Sequence, residues 1–170
     1  MKGAAFLLVI LGLSSCKNFV QPLITGLEGK PLPEFNLMLG DSISFVKTNE
    51  IPKGQPIIFF YFSPKCPFCR AQMADIVKNM ASFQHIKFYL ITNWPLDDMK
   101  EFYVTYKLDR FKNVVVGNDY TDYFLDYYKA KSVPFTIVYD KHKIMKEAFV
   151  GQVSMNQIKE VIENNEVAQQ

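Results

Sequence analysis

Polar and apolar side chains alternate over residues 42–46 (SISFV), which is the pattern of a half-exposed strand. After the turn Lys53-Gly54-Gln55-Pro56, residues 57–62 (IIFFYF) form an unbroken run of β-formers. Such a run, closed by Ser63-Pro64, fits a central strand buried on both faces. From Cys66 onward the period changes. Phe68, Met73, Ile76, Val77, Met80 and Phe83 recur at mostly three- and four-residue steps, predicting an amphipathic helix. Residues 87–92 (KFYLIT) predict a second buried strand. Pro95, Asp97 and Asp98 suit a helix start, and Met99, Phe102, Tyr103 and Tyr106 continue that helix on one face. A short strand at 114–116 ends at Gly117-Asn118, and Tyr120, Phe124, Tyr127 and Tyr128 mark a third helix. Residues 135–139 and 144–150 flank Asp140-Lys141-His142-Lys143 as a hairpin. Ser154 and Gln157 form a capping box for a last helix carrying Ile158, Val161 and Ile162. The order β-β-α-β-α-β-α-β-β-α predicts an α/β fold, with a mixed, mostly parallel sheet flanked by helices and an antiparallel edge.

Composition supports one such domain. The chain has 170 residues, 49% apolar and 21% charged, which excludes bulk disorder. The net charge of +2 provides no basis for nucleic-acid binding. Three cysteines and two histidines are too few for a disulfide scaffold or several zinc sites.

The N-terminus reads as an address. Lys2 precedes an uncharged apolar stretch of 11 residues, 3–13, too short to span a bilayer. Leu13-Ser14-Ser15-Cys16 resembles a bacterial lipobox. The resemblance implies cleavage before Cys16 and lipidation of that cysteine, hence membrane attachment through a lipid anchor facing the periplasm. It also accounts for the odd cysteine, leaving Cys66 and Cys69 as a pair. Losing Lys2 makes the mature formal charge 18 − 17 = +1. The expected organisation is a signal peptide over 1–15, a lipidated tether over 16–32 containing Pro22, Gly26, Gly29 and Pro31, and a domain over 33–168.

The candidate chemistry is Cys66-Pro67-Phe68-Cys69. A lone CxxC is half a zinc site, but His85 and His142 lie far from it in sequence and in no finger pattern. The pair follows a buried strand and opens a helix, where free backbone N–H groups and the helix dipole stabilise a thiolate. Lys65 and Arg70 add positive charge. Cys66 is the expected nucleophile, and Cys69, one turn deeper, the resolving thiol. Pro67 suits the first helical position, and Phe68 is a candidate substrate contact. No cofactor and no metal ion is expected.

Tyr61 to Arg70 (YFSPKCPFCR) resembles the active-site segment of the thioredoxin superfamily, and Val133-Pro134-Phe135-Thr136 resembles its cis-proline loop. The resemblance, over roughly residues 33–166, implies a thioredoxin-like fold in which Pro134 faces the dithiol and Val133 pairs with substrate backbone. The separation from Cys69 to Pro134 implies an extra strand–helix insertion, and the expected fold also carries N-terminal strands. With the exported start, the chain looks like the extracytoplasmic redoxin branch (TlpA/ResA-like, AhpC/TSA group). The resemblance implies a thiol–disulfide oxidoreductase acting on cysteine-containing exported proteins, with a membrane electron-donor or oxidant protein as partner. The sequence departs from the family pattern at Phe60, where a buried acid is usual, and at Lys65, where tryptophan is usual. Asp97 and Asp98 are candidates for a proton relay, and Trp94 for a place near the site. Three other readings stand beside this one: a thiol peroxidase, with Ser63 three residues before Cys66; a copper-delivery protein using His142; and a binding module with a vestigial pair.

Overall fold

The computed structural model describes residues 19–167, with side chains to 164. Cys16 and the signal-peptide stretch lie outside the described residues. The elements are β1 (Asn36–Met38), β2 (Phe45–Lys47), β3 (Ile57–Tyr61), α1 (Pro67–Asn79), β4 (Lys87–Thr92), α2 (Leu96–Thr105), β5 (Val114–Asn118), α3 (Tyr123–Tyr128), β6 (Phe135–Tyr139), β7 (Met145–Val150) and α4 (Met155–Val167). The sheet has seven strands in the order β2-β1-β5-β4-β3-β6-β7. Only β3–β4 and β4–β5 pair in parallel; the other pairings are antiparallel. The expected parallel character is therefore confined to the three strands joined by helical crossovers, since parallel neighbours need such a connection.

Strand β3 lies at the centre, and all five of its residues are buried. Alternate side chains enter two cores. Ile58 and Phe60 join the cluster beneath α1, α2 and α4, whereas Ile57, Phe59 and Tyr61 join the one beneath α3. Gln72 of α1 ties the first core together. Its amide donates to the Val153 carbonyl (2.9 Å) and accepts from the Val153 N–H (2.8 Å), all of it buried.

Four sequence expectations change. The strand expected over 42–46 begins at Phe45, because the Asp41 carboxylate accepts the N–H groups of Ile43 and Ser44 and closes a turn there. Strand β1 was expected only as one of the N-terminal strands, without bounds; it buries only Leu37 fully, and three residues show no period. It fits beside β5 because position 117 is glycine. A Cβ there would sit 2.7 Å from the Leu37 Cβ. The third helix is six residues long, its first N–H groups held by Asp119.

The tether is the fourth. Residues 19–32 dock along the outer edge of β7, bridging Leu23 to Ala148 and Pro31 to Ile144. Backbone hydrogen bonds hold this segment: Leu23 N–H to Ala148, Gly29 N–H to Met145, Met145 N–H to Lys30 and Leu32 N–H to Lys143. The edge strand left its outward N–H and C=O groups open, and this chain segment satisfies them.

Candidate functional site

Strand β3 delivers the chain to the site. Phe62 extends it by one ladder bond to Ile91, and Ser63-Pro64-Lys65 then turns, with the Cys66 N–H bonded to the Ser63 carbonyl (3.1 Å). Cys66 is the N-cap of α1, in extended conformation (φ −74°, ψ 122°), and Pro67 occupies the first turn as its missing N–H predicts. The Arg70 side chain bonds back to the Pro64 carbonyl (2.7 Å) and locks the turn.

The peptide bond between Val133 and Pro134 is cis. The Val133 carbonyl lies 3.9 Å from the Cys66 Sγ, the thiol donating. The structure thus unites the two motifs that lie 67 residues apart in sequence. The Gly151 N–H anchors the loop by donating to the Pro134 carbonyl (2.8 Å). Phe68 is 61% exposed beside the dithiol, where it can contact a docked chain.

The two sulfurs occupy different environments. Cys66 is half-buried and Cys69 is fully buried; both are thiols here. Burial pushes the Cys69 thiol up to about 12, a hydrogen bond from the Ser63 backbone partly offsets this, and neighbouring Cys66 adds to it. Cys69 therefore holds its proton until something nearby removes it.

The side chains around the dithiol that the sequence singled out differ in their surroundings. Phe60 is fully buried and stacks on Phe62 (5.7 Å, 4°) in the position where the fold family carries an acid. Its cross-strand neighbour is Thr136, whose buried hydroxyl has no hydrogen-bond partner. Asp98 forms an ion pair with Lys65 at 3.0 Å, and Asp97 stands exposed in the first turn of α2. Trp94 does lie at the site: the Lys65 ammonium sits 5.4 Å from its ring centroid. Sequence reasoning offered both acids as relays and missed the pairing of Asp98 with Lys65, which connects residues 33 positions apart.

A cavity of about 200 Å³ opens between the end of β3 and the cis-proline loop, lined by Tyr61, Ser63, Asn93, Trp94, Lys131 and Val133. It adjoins the Cys66 side of the site and has room for one substrate side chain. His142 lies in the β6–β7 turn, and β6 enters that turn at Tyr139, opposite Ile57 at the start of β3; Cys66 follows the other end of β3. His85 lies just before β4, beside that same start. Neither imidazole shares an end of the sheet with the dithiol, so the copper reading loses its third ligand.

The AhpC/TSA family model matches residues 29–161. No curated protein matches the chain. Among solved structures, a secreted disulfide oxidoreductase from Mycobacterium tuberculosis, described as homologous to E. coli DsbE, superposes with a TM-score of 0.63 at 17% identity, covering 76% of this chain and 95% of that one. A putative thiol:disulfide interchange protein DsbE from Chlorobium tepidum gives 0.65 at 16%, covering 83% and 96%. StoA from Bacillus subtilis gives 0.58 at 13%, covering 76% and 96%. At these identities the likeness establishes the thioredoxin-like fold.

Proposed function

The chain belongs to the AhpC/TSA family, and on that premise we propose that it is a lipid-anchored thiol–disulfide oxidoreductase that exchanges disulfides in exported proteins. The observation that carries this reading is the placement of the Cys66 Sγ at the helix N-cap against the Val133 carbonyl, with Cys69 buried one turn behind. The solved structures of similar fold that are described as disulfide oxidoreductases support it.

In the reducing direction the Cys66 thiolate attacks one sulfur of a substrate disulfide. A Cys66–substrate S–S bond forms, the substrate S–S bond breaks, and the departing sulfur leaves as a thiolate. The Val133 backbone aligns the substrate chain, and Phe68 and Pro67 supply apolar contact beside it. Cys69 then passes its proton to the departing thiolate and attacks the Cys66 Sγ. The Cys66–Cys69 disulfide forms, the second substrate sulfur leaves and is protonated, and two electrons have passed to the substrate. A redox protein at the membrane resets the pair; running the steps backward makes the protein an oxidant.

The membrane anchor is Cys16. The LSSC sequence supports lipid attachment there; among the described residues no helix is long and apolar enough to cross a membrane.

Trapping tests the reading. Cys66→Ser abolishes exchange with a disulfide-bonded protein, and Cys69→Ser accumulates a mixed disulfide through Cys66. Full exchange activity in the Cys66→Ser protein would overturn it.

A further inference from the structure

The docked segment 19–32 runs antiparallel to β7, so its first residues lie at the Val150 end of that strand. Val150 pairs with Phe135, the residue after Pro134, and Gly151 bonds to Pro134 itself. This is the dithiol end of the sheet. Val20 is clamped there, with its N–H and C=O both bonded to the Gln157 amide on α4 (3.1 and 2.5 Å). Val20 and Cys66 pack against the same core. From this segment to β3 there are three strand spacings, about 14 Å in all.

Large apolar side chains stand out along this edge, Phe19 and Val150 toward the dithiol end and Leu23 and Ile24 level with the middle of β7. Ile24 is 90% exposed and Phe19 58%, with Leu23 and Val150 also exposed. Ile24 is held outward by a closed turn, because the Glu28 carboxylate accepts the Thr25 N–H, the Thr25 hydroxyl and the Gly26 N–H at 2.8, 2.8 and 2.9 Å. Exposed apolar side chains of this size along one edge, on a backbone held by hydrogen bonds, mark a contact surface.

The covalent chain identifies the contact. Cys16 is three residues from Phe19, a reach of at most about 10 Å even when fully extended. We propose that Phe19, Leu23, Ile24 and Val150 form a bilayer-contacting face that holds the Cys66 end of the sheet against the membrane. This rests on the reading of Cys16 as the lipidated residue. The domain does not swing on a tether of 17 residues. The lipid at Cys16 brings the face to the surface, and the apolar side chains set its orientation by entering the interfacial region. The dithiol then opens sideways along the membrane, within reach of a membrane-embedded dithiol partner and shielded from bulky molecules arriving from solution.

The test uses the full processed chain, reconstituted in vesicles of phosphatidylethanolamine and phosphatidylglycerol, native and as Phe19→Glu/Ile24→Glu. Both substitutions fall on exposed positions outside the exchange machinery. Reduced Cys66 is alkylated with N-ethylmaleimide or with a bulky maleimide–polyethylene glycol. Removing the face lets the domain tilt away, so the bulky reagent reacts at least about 5-fold faster with the double variant, while N-ethylmaleimide reacts equally with both. Equal rates for the bulky reagent in an acylated protein overturn the contact face and leave the anchor standing. A mass spectrum without acyl chains on Cys16 overturns the anchor and the face together. Shielding that grows with protein density assigns the face to a second copy and overturns the bilayer as its partner.

Discussion

The Lys65 ammonium lies 3.0 Å from the Asp98 carboxylate, which ties the residue before the nucleophile to the first turn of α2. The same ammonium rests on the Trp94 ring. Lys65 is mostly exposed and Asp98 only partly so. The pair's stabilising effect is thus small, under about 1 kcal/mol. Its effect is on charge beside the dithiol. Asp98→Asn leaves the ammonium without a carboxylate next to an anionic Cys66 sulfur. Exchange with a small neutral disulfide below neutral pH should rise about 2- to 5-fold, by an interaction of under 1 kcal/mol at this exposure. The thermal midpoint should hardly move. A slower Asp98→Asn protein would mean that Asp98 takes part in proton transfer after all.

Cys69 sets the pH dependence of the reduced protein. Its folded-state value is raised to about 12 by burial, against about 8.5 for an unfolded thiol. Below pH 8.5 both states keep the proton, and the stability is fully present. Above it the unfolded chain loses the proton while the native one retains it, so stability falls as pH rises towards 12. Thermal midpoints between pH 8 and 10 should therefore drop more steeply for the reduced native chain than for reduced Cys69→Ala. Parallel slopes would show that Cys69 ionises freely. Tyr61, Tyr128 and Tyr139, also raised by burial, add their own loss only above about pH 10.

Thr136 carries a buried hydroxyl without a partner, opposite Phe60 and Phe149. Burying an unsatisfied hydroxyl costs about 1–3 kcal/mol, and valine has nearly the same shape. Thr136→Val should raise the unfolding free energy by about 1 kcal/mol in denaturant titration, with exchange activity retained. A stable Thr136→Val protein that accumulates mixed disulfide would instead make the hydroxyl a proton carrier for Cys69.

Gln72 makes both of its hydrogen bonds to Val153 in the core. Truncation to alanine removes them and leaves a buried N–H and C=O unpaired. The expected loss is about 2–3 kcal/mol. That lowers the midpoint by roughly 4–12 °C for a domain of this size. Calorimetry on Gln72→Ala measures it directly; an unchanged midpoint would mean that water replaces the amide.

Gly117→Ala should dislodge β1 without unfolding the sheet. The added Cβ meets the Leu37 Cβ at 2.7 Å, both on strand backbones that cannot swing away. A cost of about 1–3 kcal/mol is expected, with hydrogen exchange accelerated over Asn36–Met38 and unchanged in β3. Uniform protection across both would show that β1 repacks.

Strand β3 was legible from residues 57–62 because a strand buried on both faces has no polar positions to interrupt the run. The proximity of Cys66 to the Val133-Pro134 loop was legible because the spacing and flanking strands of the two motifs resemble one family's pattern. The docking of residues 19–32 was not legible. It is carried by backbone N–H and C=O groups, which every residue has, and its glycines and prolines read as a loop. The β2 boundary moved with the Asp41 turn, a local competition that alternation alone does not reveal.

Local chemistry and periodicity along the chain were enough to place Cys66 at a helix start and the strands in the core, and to put phenylalanine at position 60. These depend on near neighbours and on burial, both of which leave a trace in residue type. The partner of Lys65, the hydroxyl left unpaired at Thr136 and the segment lying along β7 emerged only from the assembled sheet. Each is a contact between groups whose identity does not specify their partner. Strand order and register bring them together, and only the whole fold sets those.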